Sequence, residues 1–352
     1  MTIFARFDSF VYTANKIHKL INKKYERHNI CIVNLSIKRT QNKILELREQ
    51  DAFVLTCFSG VIFGDHATIL SRTNANMILF NCKHDMNEYI KLGKELGFDT
   101  GNSYCFGYPQ LIDIKPKTID NNSPVVFFEQ IKFPATEKER IYLLSKLIEI
   151  ANNFPSRLVK IKPRCTIGER NIHKQNYHLE TVRKKHKLDF PSNLNFTYDD
   201  TNDLLNDCGM CITISSTVAL EAIARNISTA IITDFGISKL NYTSYFVGSG
   251  CLISFDSLIK SKGIISSADE AWIDQYIKIP DVDDFHRVLS ENLSLSNNSK
   301  LYTFPRPDFG SKNKILRRSK KLFEDPYMFC MDSKYQPLKK FGSFFLKDRY
   351  KN

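Results

Sequence analysis

The feature that most constrains this chain is a series of short apolar runs, each followed by a segment that reads as helix or loop. Ile3–Phe7, Ile30–Val33, Ala52–Leu55 and Met77–Phe80 are such runs. Runs of this length without strict polar alternation suit strands covered on both faces, as in a parallel sheet, where every strand needs a crossover to reach the next. The first run ends at Asp8-Ser9 and passes into a helical pattern from Phe10 to Ile21, a strand-to-helix unit. Residues 1 to about 115 therefore read as a Rossmann-like domain.

The pattern then stops and restarts. Lys115-Pro116-Lys117 and Asn121-Asn122-Ser123-Pro124 supply chain breakers without periodicity, the expected linker. A new series follows: strand Val125–Phe128, helix Glu137–Asn152, strand Leu158–Ile161, and later a βαβ unit of Met210–Ile214, Thr217–Arg225 and Thr229–Thr233. At 352 residues the chain also exceeds what one hydrophobic core usually serves. The expected organisation is an α/β protein with Rossmann-like domains at 1–118 and 119–300, and a basic tail at 301–352 returning to the first domain as a helix.

Charge and cysteine usage narrow the function classes. Fifty basic against 38 acidic side chains give a formal charge of +12, which favours nucleic acid, anionic lipid or phosphorylated substrates without choosing among them. Much of the excess lies beyond residue 311, as a solvated basic face or a membrane-surface contact. The nine cysteines are odd in number and mostly set in apolar runs, so they read as reduced core thiols. Cys208 and Cys211 have metal-finger spacing but lack a second ligand pair at the distance structural zinc needs. No apolar stretch has membrane-spanning length and no signal-peptide order opens the chain, so the cytoplasm is the expected location. Glycine-rich dinucleotide, Walker, nucleophile-elbow and zincin motifs are missing. Asp234-Phe235-Gly236 stands without the other kinase motifs and reads as a turn after a strand.

Three segments carry candidate chemistry. Ser215-Ser216-Thr217 sits between a buried strand and a helix, where free amides and hydroxyls can hold a phosphate or simply cap the helix. Lys160-Ile161-Lys162-Pro163-Arg164 leaves a strand with three cations, suited to phosphate or carboxylate. Glu169 and His173 would share a face if their segment is helical, and a solvated loop fits the spacing as well. Asp8, after the first strand, is either a base for an acceptor hydroxyl or a helix cap. His66 is a second base candidate and Glu129 a further one.

Taken in order, Phe7-Asp8-Ser9, Phe127–Gln130 with Pro134, Val159–Arg164, Gly168-Glu169 with His173, Ser215–Thr217 through Glu221-Ala222, and Asp234-Phe235-Gly236 with Asn241 and Gly248-Ser249-Gly250 resemble bacterial GT-B surface-polysaccharide transferases, a group that includes pseudaminic acid transferases of capsule loci. The layout is also similar to bacterial sialyltransferases, except that Lys162 stands where those carry a histidine. The resemblance implies two Rossmann-like domains facing a cleft, and transfer of a nonulosonic acid from its cytidine monophosphate form to a surface-glycan or glycolipid acceptor, without cofactor or metal. It implies Gln130, Lys160, Lys162, Arg164, Glu169, Ser215, Ser216, Thr217 and Asp234 on the donor side, with Asp8 and His173 in catalysis. Acceptor contacts are expected from loops near Gly60 to Arg72, and the basic tail would lie near anionic lipid. A donor carrying a nucleoside diphosphate is the alternative. A nucleic-acid binder is a weaker one, since the tail carries no recognised module.

Overall fold

The computed structural model describes residues 1–6, 8–21, 24–62, 64–112, 114, 122–131, 133–168, 177–239, 241–294, 301–302, 322, 329–330 and 336–341. The first five strands, β1 (Thr2–Ala5), β2 (Ile30–Asn34), β3 (Phe53–Cys57), β4 (Met77–Phe80) and β5 (Ser103–Cys105), form one parallel sheet in sequential order. Every residue of β2, β3 and β4 is buried. Ile30, Ile32, Leu55 and Leu79 pack against Ala14, Ile17 and Ile21 of α1 (Asp8–Ile21). The alternate residues Cys31, Val33, Val54 and Ile78 pack against Ile44 and Leu47 of α2 (Ile37–Glu49) and Tyr89 and Leu92 of α4 (Lys83–Leu96), which follows the short α3 (His66–Leu70). Coverage of both faces is why these strands are continuous apolar runs.

The second sheet contains β6 (Val125–Phe128), β7 (Val159–Lys162), β8 (Leu194–Phe196), β9 (Met210–Thr213), β10 (Ser228–Ile232) and β11 (Leu252–Ile253), all parallel, in the order β11-β10-β9-β6-β7-β8. In this doubly wound order the winding reverses between β6 and β9, and the crevice at their carboxyl ends is where such sheets bind ligands. On one face lie Leu143, Leu144, Leu147 and Ile150 of α5 (Glu137–Asn153), with Leu179 and Val182 of α6 (Leu179–Lys185) and Phe255 and Leu258 of α9 (Phe255–Lys260). Helix α5 starts where it does because Thr136 and Glu139 form a reciprocal capping box, with bonds of 3.2 and 3.0 Å. The other face carries Leu204 and Leu205 of α7 (Thr201–Asp207) and Val218 and Ala222 of α8 (Val218–Ala224).

Strands β4 and β6 coincide with their apolar runs, and β1 ends two residues before the expected Phe7. The edge strands β5, β8 and β11, of two or three residues, were not expected. The chain also returns to the first sheet earlier than residue 301. Helix α11 (Val282–Ser294) seats Phe285 and Leu289, both fully buried, in the first core, and Tyr25 Oη donates to the carbonyl of His286 at 2.9 Å. Apart from Phe341, the apolar stretch Phe341–Leu346 expected to make that return lies outside the described residues.

The two halves meet in a shared apolar seam. Cys82, Tyr108 and Leu111 pack with Ala219, Leu220 and Ile223 of α8 and with Trp272 of α10 (Glu270–Tyr276). Tyr108 and Tyr245 hydroxyls are 3.2 Å apart, and Lys83 pairs with Asp274 at 2.5 Å. Gly107, at φ +108°, lets the backbone of Lys278 approach so closely that an added Cβ would stand 2.5 Å from its carbonyl oxygen. No helix among the described residues is long and apolar enough to cross a membrane.

Candidate functional site

The carboxyl edge of the second sheet collects most of the residues picked out on the donor side. Gln130 follows β6, Lys162 ends β7 ahead of Arg164, Ser215–Thr217 follow β9, and Asp234 follows β10. Lys160 sits within β7, and its ammonium lies 3.8 Å from Asp207. Lys162 is half-buried, with its ammonium 5.9 Å from the centre of the Tyr198 ring. The Arg164 side chain is exposed, while its amide donates to Glu129 Oε2 at 3.1 Å.

Glu129 is held away from proton-transfer work. Its side chain is fully buried, with Oε1 paired to Arg140. Arg140 also donates to the carbonyls of Pro134 (3.0 Å) and Ile131 (2.9 Å). The pair therefore ties the loops after β6 and β7 to α5, and the carboxylate faces a guanidinium and an amide rather than the cleft.

Ser215 is also occupied by the protein itself. Its Oγ lies 2.5 Å from the carbonyl oxygen of Asn241 and 2.9 Å from the side-chain amide of Gln130. Both neighbours, the Asn241 carbonyl and Gln130 Oε1, are acceptor oxygens, so the single hydroxyl hydrogen of Ser215 is donated between them. Asn241 in turn bonds the carbonyl of Gly236 at 2.6 Å, fixing the turn after β10. Within this segment Ser216 is half-buried and its Oγ accepts weakly from Val218 N at 3.4 Å, while Thr217 makes no side-chain cap to α8. Asp234 has both oxygens engaged, with Tyr142 Oη at 2.7 Å and Phe255 N at 2.9 Å. Burial pushes the Tyr142 phenol up to about 12, with the Asp234 bond acting in the same direction. Burial likewise pushes the Glu221 carboxyl of α8 up to about 7, against the lowering pull of Arg225 and, more weakly, of Arg164.

Across the cleft, at the carboxyl ends of β1, β2 and β3, lies a cavity of about 620 Å³. Its wall includes Ser9 and Phe10 from the start of α1, Asn34 at the end of β2, Lys38 in the first turn of α2, Ser59, and Arg72 after α3. Thr217 of the second half also lines it, and a Cβ added at Gly60 would lie 3.4 Å from Thr217 Cγ2. The two carboxyl edges therefore face each other at this point. Asp8 opens α1 beside the cavity, but its side chain lies outside the described residues, as do Glu169 and His173 altogether. His66 is exposed at the start of α3, 3.6 Å from Glu88.

Sequence reasoning passed over Asn34, Ser59 and Arg72 as individual side chains. The available signal was Asn34, a polar residue directly after the apolar run Ile30–Val33, at the end of a strand where ligands bind in such sheets. Among the described residues no three His, Cys, Asp or Glu side chains form a group able to hold a metal ion.

A family model described as "Putative glycosyltransferase (DUF6716)" matches residues 14–292. No curated protein matches the chain in sequence. Among solved structures, the UDP-GlcNAc 2-epimerase of Methanocaldococcus jannaschii is similar at 13% identity, with a TM-score of 0.53 over 80% of this chain and 82% of that one. S. aureus MnaA, in a co-structure with UDP, is similar at 10% identity, with a TM-score of 0.53 over 86% and 99%. At such identities the likeness is one of fold: two parallel-sheet α/β domains in the GT-B arrangement.

Proposed function

We propose, from the premise that the chain belongs to the glycosyltransferase family DUF6716, that it moves a sugar from a nucleotide-activated donor on the second sheet to an acceptor in the first-sheet cavity. The observation that carries this reading is the meeting of the two carboxyl edges, where Thr217 of the donor half closes the wall of the acceptor half. Residues 119–300 then hold the donor, apart from α11, which packs on the acceptor half of residues 1–118.

Transfer places negative charge on the departing phosphate, and groups already aimed at that charge lower the barrier most. Lys162, Arg164, the Ser216 hydroxyl and the amides at Ser216 and Thr217 stand at the edge where that phosphate would sit. Ser215 and Gln130 act one step back, holding the Asn241 turn in place. Asp8, which precedes the cavity-lining Ser9 in the first turn of α1, takes the proton of the attacking hydroxyl, and His173 protonates the leaving group. Asp234 and Lys160, each engaged by the protein, shape the donor edge from behind.

The donor assigned is a cytidine monophosphate nonulosonate, with pseudaminic acid ahead of sialic and legionaminic acids, and the acceptor a capsule, lipopolysaccharide or other surface glycan. The support is the ordered resemblance of Val159–Arg164 and Ser215–Glu221 to transferases of that class. The second reading is a nucleoside-diphosphate sugar, favoured by the UDP named with MnaA, whose fold this chain shares. The enzyme would work at the cytoplasmic face of the membrane, its basic tail against anionic lipid. Thermal melting with CMP, UDP, GDP and several CMP-activated sugars decides between the donors. Stabilisation by CMP and by a CMP-nonulosonate is expected, and stabilisation by UDP or GDP alone would transfer the assignment to the second reading.

A further inference from the structure

The acceptor cavity contains a cation that the fold buries with no carboxylate in direct contact among the described residues, the nearby Asp65 acting on it only through space. Arg72 is 3% exposed, with its guanidinium 4.4 Å from the centre of the Phe58 ring. Its Nε donates to the carbonyl of Cys57 (3.2 Å), Nη1 to the carbonyl of Thr68 (2.8 Å) and to Ser71 Oγ (3.1 Å), and Nη2 to Asn34 Oδ1 (3.5 Å). All four acceptors are neutral, and a guanidinium has five N–H groups, so one Nη2 hydrogen has no acceptor among the described residues. Burial of a charge is unfavourable unless it is compensated. Burial pulls the Arg72 pKa down to about 10, which leaves it charged at neutral pH.

Other groups on the wall point the same way. Ser59 Oγ accepts from Asn34 Nδ2 at 2.7 Å, and its own hydrogen has no acceptor among the described residues. Lys38 lies in the first turn of α2, a turn without an acidic residue and without a side-chain cap from Ser36. Asp65, also on the wall, is spent capping α3, accepting from the amides of Ala67 and Thr68 and from Thr68 Oγ1 at 3.1, 3.3 and 2.6 Å. Phe10, Leu35 and Val61 give the remaining wall an apolar character.

We propose that this cavity selects an acceptor bearing an oxyanion, a carboxylate or a phosphate, which docks on Arg72 and Ser59 while a sugar face lies against the apolar wall. The inference rests on the acceptor reading of the first half and names its substrate class. A bound oxyanion would supply the missing acceptor for Nη2 and a directly bonded counter-charge, which Asp65, spent on the α3 cap, does not give.

Calorimetric titration of the full chain with glucuronate and with glycerol 3-phosphate, glucose serving as the uncharged control, tests it in the presence and absence of saturating CMP. At least one anion should bind, glucose should not, and CMP should leave the binding intact; the tighter anion tells carboxylate from phosphate. Arg72→Gln should weaken anion binding by about tenfold or more, and Arg72→Lys by less. Should Arg72→Gln fail to fold, Ser59→Ala, at a half-buried position, decides instead, with an expected loss of roughly three- to tenfold. The proposal is overturned if neither anion binds, if glucose binds equally well, or if a folded Arg72→Gln protein binds as wild type does. An unchanged affinity in Ser59→Ala, where that variant decides, has the same consequence. Competition by CMP would assign Arg72 to the donor instead. CMP binding is read separately, so its failure alone would remove the donor assignment and leave this site standing.

Discussion

Replacing Asp85 by asparagine should change how stability depends on pH. Asp85 lies in the first turn of α4, 2% exposed, and its Oδ2 has no hydrogen-bond partner among the described residues. Burial pushes its carboxyl up from 3.8 to about 7, partly opposed by the Cys82 thiol and aided by Glu88. Between those values the folded chain holds a proton that the unfolded chain has lost. Stability from this group is therefore full below about pH 4 and falls as pH rises through about 7. A shift of about three units corresponds to about 4 kcal/mol in total, of which about 2.5 kcal/mol should disappear between pH 5 and pH 8. Asp85→Asn stays neutral throughout and should not show that loss. Glu221 is shifted upward as well, so the wild-type profile alone mixes the two groups, whereas the difference between wild type and variant isolates Asp85. Urea unfolding of both proteins at pH 5, 6, 7 and 8 measures it. Parallel curves across that range would show that Asp85 is ionised in the folded protein and that the reasoning is wrong.

Other substitutions separate donor, acceptor and framework roles. Ser216→Ala should weaken CMP binding by about 1 kcal/mol, while Asp8→Asn should leave CMP affinity intact and lower turnover by roughly 10²–10⁴-fold, read by calorimetry beside a turnover assay. Normal turnover in a folded Asp8→Asn protein would place the base elsewhere. Glu129→Gln leaves the Arg140 charge buried without its partner and should destabilise the fold by about 3–5 kcal/mol in urea unfolding. Leu289→Ala opens a space in the core shared by α11 and the first sheet, with an expected loss of about 2–5 kcal/mol and a lower melting temperature.

The internal strands were legible because burial on both faces requires uninterrupted apolar runs, and Met77–Phe80 and Val125–Phe128 show nothing else. The short edge strands β5, β8 and β11 escape that logic. β5 and β11 are only partly buried along their length, so two or three residues carry no periodic signal to find. The order of short motifs along the chain likewise located the carboxyl edge of the second sheet, because the polar residues there directly follow strands and interrupt otherwise apolar surroundings.

Local pattern could assign residues to elements and elements to a layered α/β class, since hydrophobic period and chain breakers act over a few residues. It could not tell which polar groups at the cleft remain free. Ser215 is used up by Gln130 and by the Asn241 turn, 85 and 26 residues away in sequence, and Glu129 is neutralised by Arg140. Arg72 has the opposite history: an unremarkable cation in a loop becomes a buried charge only when Asn34, Phe58 and the end of β3 close around it. Hydrogen-bond saturation and desolvation depend on neighbours that are distant in the chain, so the availability of each site residue is a property that only the tertiary structure decides.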